Sequence, residues 1–143
     1  MNLQLLEHDW LTGLALLVMV VSGALWIWLT VRLRWSPIRE IGALEATQLI
    51  NRRDALMLDL REPKDFEGGR VPNAVHLPQS QLASRGHELG KLTGRPVIAY
   101  CERGQRSRAA GAALTKLGFA EVYTLRGGLR AWSEAGLPVE KGA

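Results

Sequence analysis

The sequence has few of the residues that build metal sites and disulfides. Its 143 residues include one cysteine, Cys101, and three histidines that lie far apart. A single cysteine cannot form an internal disulfide, which is typical of a domain in a reducing compartment. No Cys-x-x-Cys or His-x-x-x-His pair is present to supply two metal ligands from one turn, so we expect neither a metal ion nor another cofactor.

The first part of the chain has no basic residue and almost no charge. Glu7 and Asp9 are the only charged residues before Arg32, and twenty-two uncharged residues run from Trp10 to Val31. A helix of that length measures about 33 Å at about 1.5 Å per residue, enough to cross the hydrocarbon core of a bilayer. Two other interpretations of this segment are a cleaved signal peptide and a buried core helix. A signal peptide does not typically begin with acidic residues or run directly into arginine, and a buried core helix is usually shorter. We therefore predict a retained transmembrane helix over 10–31, with aromatic rings suited to the membrane interface at Trp10, Trp26, Trp28 and Trp35.

The flanking charges predict the orientation of this helix. Arg32, Arg34 and Arg39 follow it and no basic residue precedes it, so the positive-inside rule places the C-terminal part in the cytoplasm. We expect a single-pass protein of the inner (plasma) membrane whose short N-terminal tail, residues 1–9, lies outside. A juxtamembrane linker over 32–37 ends at Ser36-Pro37, and residues 38–143 form one soluble domain.

After Val31 the chain is basic but carries no pattern typical of nucleic-acid binding. Eighteen Lys and Arg residues stand against twelve acidic ones, a net charge of +6. The two signs are interleaved, and no cluster combines basic with aromatic residues. We expect no nucleic-acid partner.

Short apolar runs alternate with helical patterns through the rest of the chain. Strands are predicted over 55–60, 74–77, 96–100 and 121–125, and helices over 43–50, 79–91, 107–117 and 129–135, with the polar residues 51–54 ending the first helix. This alternation predicts an α/β domain with a central parallel sheet and helices on both faces. Ligands bind beyond the carboxyl ends of such strands, and Cys101 directly follows the strand 96–100.

The loop that begins at Cys101 has the features of an anion-binding nest. A glycine lets the chain curl so that backbone amides point inward, and the start of a helix adds its positive dipole end. That field, together with two arginines, favours an ionised, nucleophilic thiolate. A lone cysteine is more often a small buried hydrophobe, but such a residue does not require this loop. The predicted anion-binding residues are Glu102, Arg103, Gly104, Gln105 and Arg106.

Three motifs resemble those of rhodanese-like domains. The pattern Cys-x-x-Gly-x-Arg-Ser at 101–107 is similar to the family's active-site loop. Residues 59–74, DLREPKDFEGGRVPNA, resemble its first signature, and 127–132, GGLRAW, resemble its C-terminal Gly-Gly-x-x-x-Trp element. The motifs occur in the family's order and cover residues 38–139. The resemblance implies a three-layer rhodanese-like domain behind the transmembrane helix.

The resemblance also implies roles for individual residues. Cys101 would carry a persulfide cradled by the amides of 102–106, and Arg106 takes the position of the family's loop arginine. Asp59 and Arg61 would support the loop from the neighbouring strand through an ion pair. Two further residues would serve packing rather than chemistry, namely Gly128 and Trp132.

These roles predict a membrane-anchored sulfurtransferase. It would move sulfane sulfur from a donor such as thiosulfate or a persulfide to a thiol or cyanide, with the bilayer and a membrane or cytoplasmic protein as further partners. One alternative is a membrane-tethered interaction module that does not turn over. Another is a cysteine-dependent phosphatase or arsenate reductase, but those loops place five residues between cysteine and arginine, whereas four separate Cys101 from Arg106.

Overall fold

The computed structural model describes residues 3–34 and 38–142, with side chains for 9–32 and 38–142. The chain divides into two compact units, Met1–Ser36 and Pro37–Ala143. The predicted interfacial position of Trp35 and the predicted break at Ser36-Pro37 lie outside the described residues. Residues 1–2 of the predicted tail and 35–37 of the predicted linker also lie outside the described residues.

The first unit is a single helix, α1, over Leu3–Arg34. Its segment Asp9–Arg32 has 24 residues, and the most apolar stretch of 18 residues within it has a mean hydropathy of 2.3 and no buried residue. Three hydroxyls bond back to carbonyls of the preceding turn, from Thr12 to Asp9, Ser22 to Met19 and Thr30 to Ile27. The helix is therefore long and apolar enough to cross a membrane.

The second unit alternates strands and helices. Its strands are β1 (Arg39–Ile41), β2 (Leu56–Asp59), β3 (Val75–His76), β4 (Val97–Tyr100) and β5 (Val122–Leu125). Its helices are α2 (Ala43–Arg53), α3 (Pro63–Gly68), α4 (Leu82–Arg85), α5 (Ser107–Lys116) and α6 (Gly128–Glu134), and 3₁₀ turns cover Gln79–Gln81 and Gly86–Leu92.

All described strands pair in parallel in one sheet of order β1-β5-β4-β2-β3. Strand β4 lies at the centre, where Tyr100 pairs with Asp59 of β2 and Ala99 with Thr124 of β5. The predicted fold class, a central parallel sheet with helices on both faces, is confirmed. Central β4 is buried throughout, which explains its unbroken apolar sequence.

Alternating residues of the strands build a separate core on each face of the sheet. On one face Leu58 and Ala99 pack with Ala110 and Leu114 of α5. On the other face Met57, Ile98 and Tyr100 pack with residues of α2 and α6, among them Ala46, Leu129 and Trp132. The Trp132 indole also donates to the Pro138 carbonyl at 2.9 Å, and this packing position agrees with the role that the family resemblance implied.

Several element boundaries differ from those predicted. Strand β1 and helix α3 were not predicted, because each is too short to show a periodic apolar pattern. The polar residues 51–53 continue α2 instead of ending it, since their side chains face solvent and the helix ends only where Asp54 adopts a left-handed conformation. The segment predicted as one helix over 79–91 is broken into short helical and 3₁₀ pieces.

Candidate active site

Cys101 lies at the carboxyl end of the central strand β4. Its side chain is among the buried residues, with 3% of the residue exposed. The neighbouring strands β2 and β5 end at the same edge of the sheet, so the segments that follow them surround the cysteine. The position agrees with the predicted one at the carboxyl edge of a parallel sheet.

Two backbone amides point at the sulfur of Cys101. The Gly104 amide lies 3.1 Å from Sγ, and the Arg106 amide lies 3.3 Å from it. Gly104 has a positive φ of 87°, and a Cβ there would come within 3.1 Å of the Gly127 nitrogen, so the curl of the loop requires glycine. The fully buried Ser107, first residue of α5, donates its hydroxyl to the Gly104 carbonyl at 3.1 Å. The loop is thereby held in the shape that directs these amides at the sulfur.

The start of α6 supports the loop from behind. The amide of Leu129 donates to the Cys101 carbonyl at 2.9 Å, and that of Arg130 donates to the Glu102 carbonyl at 3.2 Å. Gly128 has a φ of 60°, and a Cβ at this position would lie 2.1 Å from the Cys101 carbonyl oxygen. The second glycine of the 127–132 motif thus permits contact between two backbones, which is a packing role.

A buried ion pair lies beneath the loop. Arg61 and Asp59 approach to 2.8 Å, with side chains 5% and 0% exposed. The Asp59 carboxylate also accepts a hydrogen bond from the Arg61 amide and one of 2.7 Å from the Tyr100 hydroxyl. That hydroxyl in turn accepts from the Val71 amide at 3.2 Å. Burial, reinforced by the negative charge of Asp59, raises the pKa of Tyr100 well above its ordinary value, so Tyr100 is a neutral donor.

Arg61 connects this network to the Cys101 loop. Its Nη1 donates to the carboxylate of Glu102 at 2.8 Å, while its Nη2 donates to Asp59 and to the Gly69 carbonyl. Burial opposes the charge of Arg61, but the hydrogen bonds and charge of Asp59 outweigh it and raise the pKa of Arg61 above its ordinary value. The Arg61 carbonyl contacts Nε2 of His76 at 2.8 Å. The predicted support residues therefore lie beside the loop, and Arg61 contacts it directly.

A cavity of about 330 Å³ opens in front of the sulfur. Three arginines and two carboxylates line it, and the guanidinium groups of Arg103 and Arg106 form no ion pair within the described part of the chain. A negatively charged ligand would therefore meet two cations without an ion-pair partner in a cavity that Asp65 and Glu102 also line. The lining residues are Arg61, Asp65, Cys101, Glu102, Arg103, Gln105 and Arg106.

A second hollow adjoins the loop on the side of β1 and β5. Glu40 forms ion pairs there with Arg108 at 2.6 Å and with Arg126 at 3.1 Å. The hydrogen bond from Arg108, followed by that from Arg126, lowers the pKa of Glu40. Arg103, Gly104 and Gln105 line this hollow as well as lying in the Cys101 loop.

Sequence reasoning assigned no individual role to Asp65, Tyr100, Ser107 or Glu40. Ser107 is in the loop motif, and its position at a predicted helix start was the available signal. Tyr100 ends a predicted buried strand, where its hydroxyl required a partner. Asp65 lies in the motif 59–74, but neither Asp65 nor Glu40 gave a local signal that it would lie near the Cys101 loop. Among the residues that the structure describes, no group of three or more His, Cys, Asp or Glu side chains is placed to hold a metal ion.

Comparison with known proteins agrees with this geometry. Residues 43–135 match the family model described as the rhodanese-like domain. Because that match covers more than half of the sequence, the chain belongs to the rhodanese-like family.

Individual relatives cover most of the same region. The uncharacterized protein YibN of Escherichia coli (strain K12) is 37% identical over 108 residues, which are 75% of this chain and 76% of that protein. The thiosulfate sulfurtransferase GlpE of Coxiella burnetii is 34% identical over 94 residues, covering 66% of this chain and 86% of GlpE. A rhodanese-related protein of Thermoplasma volcanium has a crystal structure that superimposes with a TM-score of 0.62 at 31% identity, covering 71% of this chain and 97% of that one.

Proposed function

We propose that this protein is a membrane-anchored sulfurtransferase that carries sulfur as a persulfide on Cys101. The observation that carries the proposal is the pair of amides, from Gly104 and Arg106, that converge on Sγ at the end of the central strand. Such donors stabilise a negative charge on sulfur without a metal or an organic cofactor. The relative GlpE, named a thiosulfate sulfurtransferase, supports thiosulfate as a donor.

In the first half-reaction, the Cys101 thiolate attacks the outer sulfur of thiosulfate. A bond forms between Sγ and that sulfur while the bond to the sulfonate sulfur breaks, so sulfite leaves with the electron pair of the broken bond. Arg103 and Arg106, which form no ion pair within the described part of the chain, offer positive charge to the dianionic donor and to the departing sulfite. The product is a negatively charged persulfide on Cys101, held by the two amides.

In the second half-reaction, a nucleophile attacks the outer sulfur of the persulfide. A thiolate acceptor becomes a persulfide, or cyanide becomes thiocyanate, and the Cys101 thiolate is regenerated with no net oxidation of the protein. Both half-reactions use the same sulfur atom, so the single cysteine of the chain is sufficient.

We further propose that α1 anchors the domain in the inner membrane, with its N-terminus outside and the domain in the cytoplasm. The length and hydropathy of Asp9–Arg32 support the anchor, and the arginines that follow it support the orientation. A cytoplasmic domain would meet small thiols and the thiols of membrane or cytoplasmic protein partners.

Mass spectrometry of the full-length protein after incubation with thiosulfate tests the chemistry. We expect Cys101 to gain one sulfur atom and to lose it again when cyanide is added, with thiocyanate released. The Cys101→Ser variant is the control and should gain nothing. Failure of the wild type to gain sulfur, together with hydrolysis of an aryl phosphate, would favour the phosphatase alternative instead. Full complementation of a deletion strain by Cys101→Ser would favour the interaction module.

A further inference from the structure

One nitrogen of Arg61, Nη1, has a hydrogen-bond partner in the Cys101 loop. Nε and Nη2 donate instead to Asp59 and to the Gly69 carbonyl, which both belong to buried residues. Nη1 donates to the Glu102 carboxylate at 2.8 Å, and both residues line the cavity in front of Cys101. The cation is thus fixed by buried partners, and its remaining donor is bound to a side chain that lines the cavity.

The partner of this donor differs from the other partners of Arg61. The Glu102 side chain is 58% exposed, whereas that of Asp59 is fully buried. Asp59 already neutralises the charge of Arg61, so the Glu102 carboxylate is an additional negative charge next to the nucleophile. The backbone of Glu102 is held by its carbonyl, which accepts from the Arg130 amide. The side chain is therefore free to leave Nη1 by rotation without moving the loop.

We propose that Nη1 of Arg61 is an oxyanion subsite beside Cys101 and that the Glu102 carboxylate is its tethered occupant. The subsite would take the sulfonate or carboxylate end of a sulfur donor, and the donor must displace Glu102 to reach it. This inference rests on the proposed sulfurtransferase function and adds to it a residue that sets selectivity. Glu102 competes with small oxyanions for Nη1 of Arg61. The subsite therefore favours sulfur donors that make additional contacts with the cavity and can displace Glu102.

The test uses sulfate, a tetrahedral oxyanion with no transferable sulfur. Cys101 is the only cysteine in the chain, so its alkylation by uncharged iodoacetamide can be followed without interference. The measured quantity is the sulfate concentration that halves the alkylation rate of the full-length protein in detergent, at constant ionic strength. For Glu102→Gln we expect that concentration to fall by roughly two- to fivefold, the range for loss of an exposed ionic competitor.

Two further variants separate occupation of the subsite from a general effect of charge. Glu102→Asp keeps the charge but has a shorter side chain that cannot reach Nη1 from the same backbone, so we expect it to bind sulfate more tightly than the wild type. Glu40→Gln removes the same charge from the adjoining hollow, where Glu40 pairs with Arg108 and Arg126 and not with Arg61. We expect it to behave as the wild type.

The subsite would be overturned if Glu102→Gln or Glu102→Asp needed the same sulfate concentration as the wild type to halve the alkylation rate. It would also be overturned if Glu40→Gln lowered that concentration as much as Glu102→Gln does. Sulfate protection requires no sulfur transfer. A protein that binds sulfate as expected but never gains sulfur from thiosulfate would therefore contradict the proposed function and leave the subsite intact.

Discussion

At the scale of single residues, Asp59 is the centre of the polar network beneath the Cys101 loop. Its carboxylate accepts hydrogen bonds from Arg61 and from Tyr100 and is completely shielded from solvent. Arg61 in turn reaches the loop through Glu102. A change at Asp59 therefore acts on the site through Arg61, with no contact to the sulfur itself.

Replacing Asp59 by asparagine should strongly destabilise the domain. The substitution removes the buried counterion of Arg61 and leaves only the exposed Glu102 carboxylate as its charged partner, and breaking a buried pair costs about 3–5 kcal/mol. Urea unfolding of the detergent-solubilised protein, followed by circular dichroism, measures the loss. Glu88→Gln breaks an exposed ion pair with Arg85 and is the matched control, with an expected cost much smaller than that of Asp59→Asn. Similar losses in the two variants would argue against a buried pair that holds the site.

The residues of the site differ in how well the sequence predicted them. Cys101 and the loop residues are contiguous, and Gly104 and Arg106 follow at a spacing that has a direct physical meaning. The ion pair of Arg61 with Glu102 joins residues 41 positions apart, so no local sequence pattern predicts it. Its detection required the register of β2 against β4, which places Asp59 beside Tyr100.

At the scale of elements, the start of α6 lies directly against the backbone of the Cys101 loop. The first amides of α6 donate to the loop carbonyls, and Gly128 leaves the space for this contact. The shape of the loop thus depends on an element that begins more than twenty residues after Cys101.

Substitution of Gly128 by alanine should impair both stability and sulfur loading. The new methyl group would meet the Cys101 carbonyl at 2.1 Å, where only backbone can yield, and φ is positive as well. We expect a loss of about 1–3 kcal/mol in unfolding free energy, and slower gain of sulfur from thiosulfate. Gly94→Ala is the control, because a Cβ there meets nothing within 4 Å. Normal sulfur loading in a folded Gly128→Ala variant would show that α6 does not shape the loop.

A second link between elements joins the end of α2 to the start of β5. Arg53 forms a bidentate ion pair with Glu121, at 2.5 Å for each hydrogen bond, and the Tyr123 hydroxyl adds a third. The hydrogen bond from Arg53, followed by that from Tyr123, lowers the pKa of Glu121 to about 2. The pair is exposed to solvent, so its contribution to stability is small.

This link should make a small part of the stability depend on acidity. A carboxyl whose pKa is lower in the folded state stabilises it above the unfolded pKa, here near 4.5, and this contribution is lost as the pH falls through about 2. We therefore expect the difference in thermal midpoint between the wild type and Glu121→Gln to be constant above about pH 6 and to shrink on acidification toward about pH 2. Melting curves over that range provide the measurement. A difference that grew on acidification would contradict the assignment.

The elements themselves were predicted unequally, for reasons of length. The central strands and α5 have enough apolar residues in a row to reveal their period. Strand β1 has three residues, of which only Ile41 is fully buried, and its pairing with β5 bridges 84 positions. Such an edge strand is stabilised by pairing with its neighbouring strand and not by the β propensity of its own sequence.

At the scale of the whole molecule, an apolar helix precedes a basic domain of the rhodanese-like family. If the arginines after α1 set the orientation, the domain faces the cytoplasm and diffuses in the plane of the membrane. Its sulfur would then be available to acceptors at the inner surface.

Protease protection tests that orientation. In intact spheroplasts we expect externally added trypsin to leave the domain uncut, because the membrane separates the two. In inverted vesicles the same protease should release the domain by cleavage near Arg32 to Arg39. Spheroplasts opened with detergent are the control for protease activity. Digestion of the domain in intact spheroplasts would place it on the opposite side.

The two outer strands of the described sheet, β1 and β3, are also its shortest, with three and two residues. An open strand edge is a template on which another chain can add a strand, and the risk of such aggregation grows with the length of the edge and with local concentration. Confinement to a membrane surface would raise that concentration. With edges this short, neighbouring copies find few unpaired backbone groups to bind, so a crowded leaflet should remain populated by separate domains.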